Sequence, residues 1–225
     1  MRFSYSTLAF AFAAFLTSAF AQTQPAKDIA VVLKSAGQVQ VTRSSKGAAE
    51  NAPRGTRLNS GNILRTSDGA AAALIFTDDK SILKVRENSK VNIAGLREAN
   101  GIVKTIKMEF GALWAKVTRS ETPFKIETPS GVAAVKGTQF YVILDGNGNM
   151  IIFCIEGAIE LFNKLGKVLV TAGQTGVIAE DQAPVTRPSA PGEVPTWGNE
   201  GEQGGKIEIE MQDAQGQKKK LLLEY

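Results

Sequence analysis

Thr128-Pro129-Ser130-Gly131-Val132-Ala133-Ala134-Val135-Lys136-Gly137-Thr138-Gln139-Phe140-Tyr141-Val142 is a small-residue apolar run broken at two glycines. Proline fixes its own φ and pushes the residue before it into an extended conformation, so Thr128-Pro129 opens the stretch without a helix. Ser130-Gly131 reads as a turn. Val132 to Val135 carries side chains small enough for a second backbone to approach closely. Lys136-Gly137-Thr138 interrupts the run, and Gln139 to Leu144 alternates as a strand. Gly131 and Lys136-Gly137-Thr138 look superficially like a phosphate loop. That loop needs glycine before lysine and a helix after it. Here lysine precedes glycine and a strand pattern follows, which argues against nucleotide binding.

The same short alternation extends both ways. Upstream, Ile29 to Leu33 starts the domain and Gly37 to Val41 places Val39 and Val41 on one face. Gly61-Asn62-Ile63-Leu64-Arg65-Thr66 steps into the next strand. Ala72, Leu74 and Phe76 share a face, Thr77-Asp78-Asp79-Lys80 turns the chain, and Leu83 and Val85 point inward on its return. Glu87-Asn88-Ser89 turns it again before Val91 and Ile93. Leu96 to Asn100 reads as a polar link. Lys104, Ile106, Met108 and Phe110 then alternate with Val103, Thr105, Lys107 and Glu109. Leu113, Ala115 and Val117 follow on one face and Trp114 on the other, so that second face is not fully solvated. Downstream, Asp145-Gly146-Asn147-Gly148 carries the dipeptides of a hairpin turn between Gln139–Leu144 and Met150–Glu156. Met150–Glu156 is apolar on both faces and reads as a central strand. Residues 157–161 and 167–170 pair about Lys164-Leu165-Gly166, and Thr171-Ala172-Gly173-Gln174 leads to Val177-Ile178.

Two of these blocks carry a resemblance. The signature residues Thr128, Pro129, Gly131, Val132, Val135, Lys136, Gly137, Thr138 and Phe140 resemble the FecR domain family, as does the segment from Leu74 through the Thr77–Ser81 turn to Asn88-Ser89. The likeness covers about residues 29–180. It implies a periplasmic β-domain, in regulators that relay iron-siderophore signals. Members that act as anti-sigma regulators carry a cytoplasmic helical segment and a membrane span before this domain; a signal peptide stands there instead, so a direct hold on a sigma factor is not expected. The expected class is all-β. Glycine-led strands at Gly37, Gly61, Gly111, Gly157 and Gly176 fit a twisted β-solenoid or a rolled sandwich, and the resemblance favours the solenoid-like form.

The 225 residues suit one domain with appendages, and 43% apolar residues suffice for a core. Met1-Arg2, the apolar Leu8–Leu16 and the Ala19-Phe20-Ala21 site read as a secretory signal peptide over residues 1–21. No later stretch is long enough to span a bilayer, so no transmembrane segment is expected after its removal and the protein is expected to be periplasmic or secreted. Losing the leader removes Arg2 and no acid, lowering the net charge of +4 by one. Basic residues are scattered apart from Lys218-Lys219-Lys220, which argues against nucleic acid as a partner.

Residues 182–205 are rich in proline and glycine and read as a linker after a β domain of residues 22–181. Trp197 within it could dock on the domain or touch a partner. Residues 206–225 read as a C-terminal hairpin, with Ile207, Ile209 and Met211 on one face and Glu208 and Glu210 on the other. A lone hairpin is marginal in water, so it is expected to pair with a sheet edge. Trp197, Ile207, Ile209 and Met211 are the candidate partner contacts.

No constellation of nucleophile, base and orienting group stands out, and no catalytic residue is assigned. With no histidine in the chain, His-based triads and histidine metal sites are excluded. Cys154, the single cysteine, lies in an apolar strand and reads as a small buried hydrophobe. Asp145, Asn147, Asn149 and Glu156 imitate calcium-loop spacing, but Met150 stands where glycine is required and the flanks are strands, so a plain hairpin turn is expected. Asp78 and Asp79 read as surface turn acids, and Lys136 as a solvated strand-end lysine. No cofactor or metal is expected. The expected function is non-enzymatic binding of a protein or ligand partner in the periplasm, with envelope sensing or signalling implied by the resemblance. The alternative is a structural scaffold on a cell-wall polymer, polysaccharide or peptidoglycan, to which exposed Trp114 and Trp197 would contribute.

Overall fold

The computed structural model describes residues 26–43 and 47–197, together with the backbone of 206–212 and 218–224. The expected leader lies outside the described residues. Within them the chain is all-β, without a helix. Seventeen strands join in one mixed sheet: β1 (Ala30–Ala36), β2 (Val39–Thr42), β3 (Ala49–Asn51), β4 (Arg57–Leu58), β5 (Asn62–Thr66), β6 (Ala71–Phe76), β7 (Ile82–Val85), β8 (Ser89–Glu98), β9 (Gly101–Lys116), β10 (Phe124–Glu127), β11 (Val132–Val135), β12 (Gln139–Leu144), β13 (Met150–Glu156), β14 (Ala158–Asn163), β15 (Gly166–Thr171), β16 (Gln174–Ile178) and β17 (Val185–Pro188). β18 (Lys206–Gln212) and β19 (Lys218–Glu224) pair separately.

The long strand β9 divides this sheet into two halves. Its residues 101–110 pair with β8, and the first half runs β3-β2-β5-β8-β9-β10-β11-β14-β15. Its residues 111–116 pair with β7 and β12, and the second half runs β4-β1-β6-β7-β9-β12-β13-β16-β17. The pairing of β9 with β10 is parallel; the others are antiparallel.

The change of partners happens at Gly111. Its φ is +105°, and a Cβ there would lie 2.1 Å from the Ser89 hydroxyl oxygen and 2.5 Å from Ser89 Cα. Only glycine combines that conformation with so close a neighbour. Ser89 Oγ accepts the Ala112 N–H at 3.0 Å, tying the bend to the start of β8. A register shift between Lys90 and Val91 accompanies it and turns Phe110 out to 39% exposure, off the face of Ile106 and Met108.

Alternation sends one face of each half into a single buried cluster. Val41, Leu64, Val91, Ile106, Ile126 and Leu161 enter it from the first half; Leu74, Leu83, Leu113, Phe140, Ile152 and Cys154 enter it from the second. β13 lies between β12 and β16, as its two-faced apolarity requires. Two sequence expectations are corrected. Leu96 to Glu98 is not a link but the end of β8, paired with residues 101–103. The proline-rich segment is not unpaired through 182–205: Val185–Pro188 runs against β16 as an edge strand, a position that tolerates proline because one side needs no N–H donor.

Candidate functional site

The signature stretch builds the passage between the two halves. Thr128 N–H donates to Gly131 O at 2.9 Å, closing the β10–β11 turn with Pro129 exposed at its tip. A Cβ on Gly131 would sit 2.5 Å from Ile178 Cδ1 and 2.7 Å from Phe162 O, so here the close approach requires glycine. Val135 points inward, and Val132 is half-buried. Lys136 is exposed, and the chain crosses to the second half through Gly137 and Thr138, where Val117 N–H donates to Thr138 O at 2.8 Å. Phe140 then enters the core. These nine residues are brought together as architecture, with Pro129 and Lys136 exposed to solvent.

A different set converges on the outer face of the second half. Antiparallel register places Lys84, Trp114, Tyr141, Phe153, Thr175 and Arg187 side by side across β7, β9, β12, β13, β16 and β17. Trp114 and Tyr141 are fully buried, Phe153 nearly so, and Ile82, Ile143, Ile151 and Ile155 pack around them. Neighbouring strands bring directly opposed side chains within contact, which makes such a row one continuous surface. Cations border it: Lys84 Nζ lies 4.5 Å from the Trp114 ring. The sequence placed Trp114 outward; it could not show which strands would stand beside it.

The chain after β17 crosses this row. Arg187 and Glu193 form an ion pair, with a second contact from Arg187 to Glu193 Oε2 at 2.8 Å. Glu193 Oε2 also accepts the Ala190 N–H at 2.8 Å, and Thr175 Oγ1 meets Ser189 Oγ at 2.8 Å. The Arg187 hydrogen bond, followed by that of Ala190, lowers the Glu193 carboxyl to about 2. The segment so clasped lays Val194 and Trp197 on the aromatic cluster. Trp197 meets Tyr141 edge-on, with ring centroids 5.2 Å apart and planes at 77°, and the Arg86 guanidinium lies 5.5 Å from the Trp197 ring. Trp197 therefore docks on its own domain. Ile207, Ile209 and Met211 lie on β18, and their side chains fall outside the described residues. Among the described residues β18 and β19 pair with each other, and the expected addition to an edge of the large sheet is not seen there. The edge strand that precedes them ends in Pro188, which has no N–H to offer a further strand.

The other candidates resolve locally. Asp145 Oδ1 accepts the N–H groups of Asn147 and Asn149 at 2.8 and 2.9 Å, and its Oδ2 accepts from Asn149 Nδ2 at 2.9 Å. The Asn149 side chain, then its backbone, lowers the Asp145 carboxyl, and the loop is a hydrogen-bonded hairpin turn. Cys154 is buried, and desolvation raises its thiol to about 11, leaving it protonated and inert. Asp78 and Asp79 lie in a surface turn, but their carboxylates point inward and are largely buried. Each has an Oδ2 atom 2.7 Å from the ammonium of Lys104, which is 1% exposed. Lys104 alternates with core residues, and that was the available signal that its charge needs a buried partner.

Residues 62–160 match the family described as FecR protein. No curated protein matches the chain. Two solved structures of a candidate anti-sigma factor from Parabacteroides distasonis ATCC 8503 are similar. One aligns at 14% identity with a TM-score of 0.47, the other at 15% with 0.48, each over 56% of this chain and 59% of that one. The likeness thus spans less than two thirds of those chains. The FecR match runs from β5 into β14 and holds the Gly111 bend, the signature crossing and the three aromatic residues of the outer row. The likeness to the FecR protein family is thus confined to residues 62–160, less than half of the chain.

Proposed function

We propose that this chain is an exported, non-enzymatic FecR-domain protein with a regulatory or signalling role, acting by contact with a protein partner in the periplasm. The FecR match over residues 62–160 carries the reading. The leader of residues 1–21 supports export. A sheet domain extended through the Trp197 segment, followed by the hairpin of 206–225, supports binding through faces and strands rather than turnover. The rolled-sandwich form of the domain is favoured over the solenoid-like one by the Gly111 bend and by the single cluster filled from both halves. The tryptophans lend little support to the cell-wall scaffold reading. Trp114 is fully buried and Trp197 packs on Tyr141, so neither is a free stacking platform for sugar.

Affinity capture of residues 22–225 from the native envelope, followed by mass spectrometry, tests the reading. Enrichment of a membrane receptor or membrane-bound regulator is expected. Retention of cell-wall fragments alone, or of nothing above a control with a scrambled hairpin, would overturn it.

A further inference from the structure

The outer face of the second half is apolar well beyond what Trp197 covers. Ile82, Ile143, Ile151 and Ile155 are only partly buried around the Trp114, Tyr141 and Phe153 cluster. Trp114 Nε1 is buried without a hydrogen-bond partner among the described residues. The described segment ends on this face at Trp197, and eight residues, 198–205, separate it from β18. Fully extended, they reach about 28 Å, several strand spacings across the sheet.

The hairpin has the complementary chemistry. Sequence alternation puts Ile207, Ile209 and Met211 on one face of β18, and the register sets Ile207 opposite Leu223 and Ile209 opposite Leu221. The other face carries Glu208 and Glu210, with Glu210 opposite Lys220. A two-stranded hairpin of this length is marginal alone and needs an apolar surface to rest on.

We propose that the hairpin of residues 206–224 lays its apolar face on the isoleucine border of this outer face, beside docked Trp197, as a cover supplied by the same chain. The short tether decides between this chain and a second copy, because it holds the hairpin at an effective concentration of roughly millimolar. A partner that binds this face must first displace the cover, so the hairpin acts as an internal competitor.

Trp114 and Trp197 are the only tryptophans in the protein and both lie in this cluster, so intrinsic fluorescence reports on this face alone. A contact-range quencher is attached to Met211→Cys in a full-length Cys154→Ala background. We expect roughly half or more of the emission to be lost, independent of dilution, as an intrachain contact requires. Quenching that disappears on dilution and tracks a dimer in sedimentation would assign the face to a second copy, and absent quenching would leave the hairpin undocked; either result overturns the proposal. Ile207→Asp with Ile209→Asp, unlabelled, provides a second arm. A red shift of the emission is expected, and an unchanged spectrum counts against the cover. Neither arm involves a partner, so their failure leaves the regulatory reading standing, and failed capture leaves the cover standing.

Discussion

Lys104 brings a charge into the domain interior. Its ammonium is held by Asp78 and Asp79, donates to Ile102 O at 3.2 Å and lies 5.5 Å from the Phe76 ring, which itself meets Phe124 edge-on. Asp78 also accepts the Ile102 N–H at 2.9 Å, and Asp79 Oδ1 the Ser81 N–H at 2.9 Å. The cluster ties the β6–β7 turn to the start of β9. Buried ion pairs are weak net stabilisers, but removing one partner strands the other charge. Lys104→Ala should therefore cost about 3–5 kcal/mol in guanidinium unfolding. Lys104→Met combined with Asp78→Asn and Asp79→Asn should recover most of that loss, since no charge is stranded and asparagine still accepts the two backbone N–H groups. A triple variant as unstable as the single one would show that the charges themselves hold the turn.

At the scale of elements, β9 and the segment after β17 do the most. β9 serves both halves because Gly111 bends it against Ser89. Gly111→Ala adds a Cβ into Ser89 in a backbone region that alanine resists, and should cost on the order of 3–5 kcal/mol. Gly61 is the control: its φ is +87° with nothing within 4 Å of its missing Cβ. Gly61→Ala should cost only about 1–2 kcal/mol, the conformational part alone. Equal losses in urea titration would contradict a steric origin for the bend. The Trp197 segment depends on Glu193, whose carboxyl sits near 2 in the folded chain against an ordinary 4.5. A depressed folded value means the carboxylate stabilises docking above about pH 4.5, and that this contribution fades as pH falls toward 2. Tryptophan emission should hold steady from neutral pH to about 5 and shift red below it. Glu193→Gln should already show part of that shift at neutral pH. An acid titration identical in the variant would place the transition elsewhere.

For the whole molecule, the question is where the cooperative unit ends. β17 and the docked segment complete the second half, so the unit runs past Asp181 to at least Trp197. Truncation after Gly205 should preserve a single unfolding transition. Truncation after Asp181 uncovers Tyr141 and Phe153 and loses the burial of Val194 and Trp197, about 2–3 kcal/mol. For a domain of this size that corresponds to a further drop of roughly 5–10 °C in the calorimetric midpoint. Equal midpoints for the two truncations would return residues 182–197 to the status of a linker.

The all-β class, the β12–β13 and β14–β15 hairpins, and the inward residues Leu83, Val91 and Cys154 were legible because they rest on local physics. Alternation with a period of two and turn dipeptides such as Asn147-Gly148 act over a few residues and survive in any tertiary context. The likeness at Thr128 to Phe140 was legible for the same reason, since a bend needs its glycines in fixed places. Three features depended on partners that no local pattern names. Lys104 meets Asp78 and Asp79 only because β9 begins against the β6–β7 turn. Val185–Pro188 becomes a strand only because β16 offers an edge, which composition alone cannot reveal. Trp114 joins Tyr141 and Phe153 in a row only through the register of β9 against the β12–β13 hairpin, a pairing of segments distant in sequence. Alternation determined which residues face inward or outward; pairing between remote strands decided which of them meet.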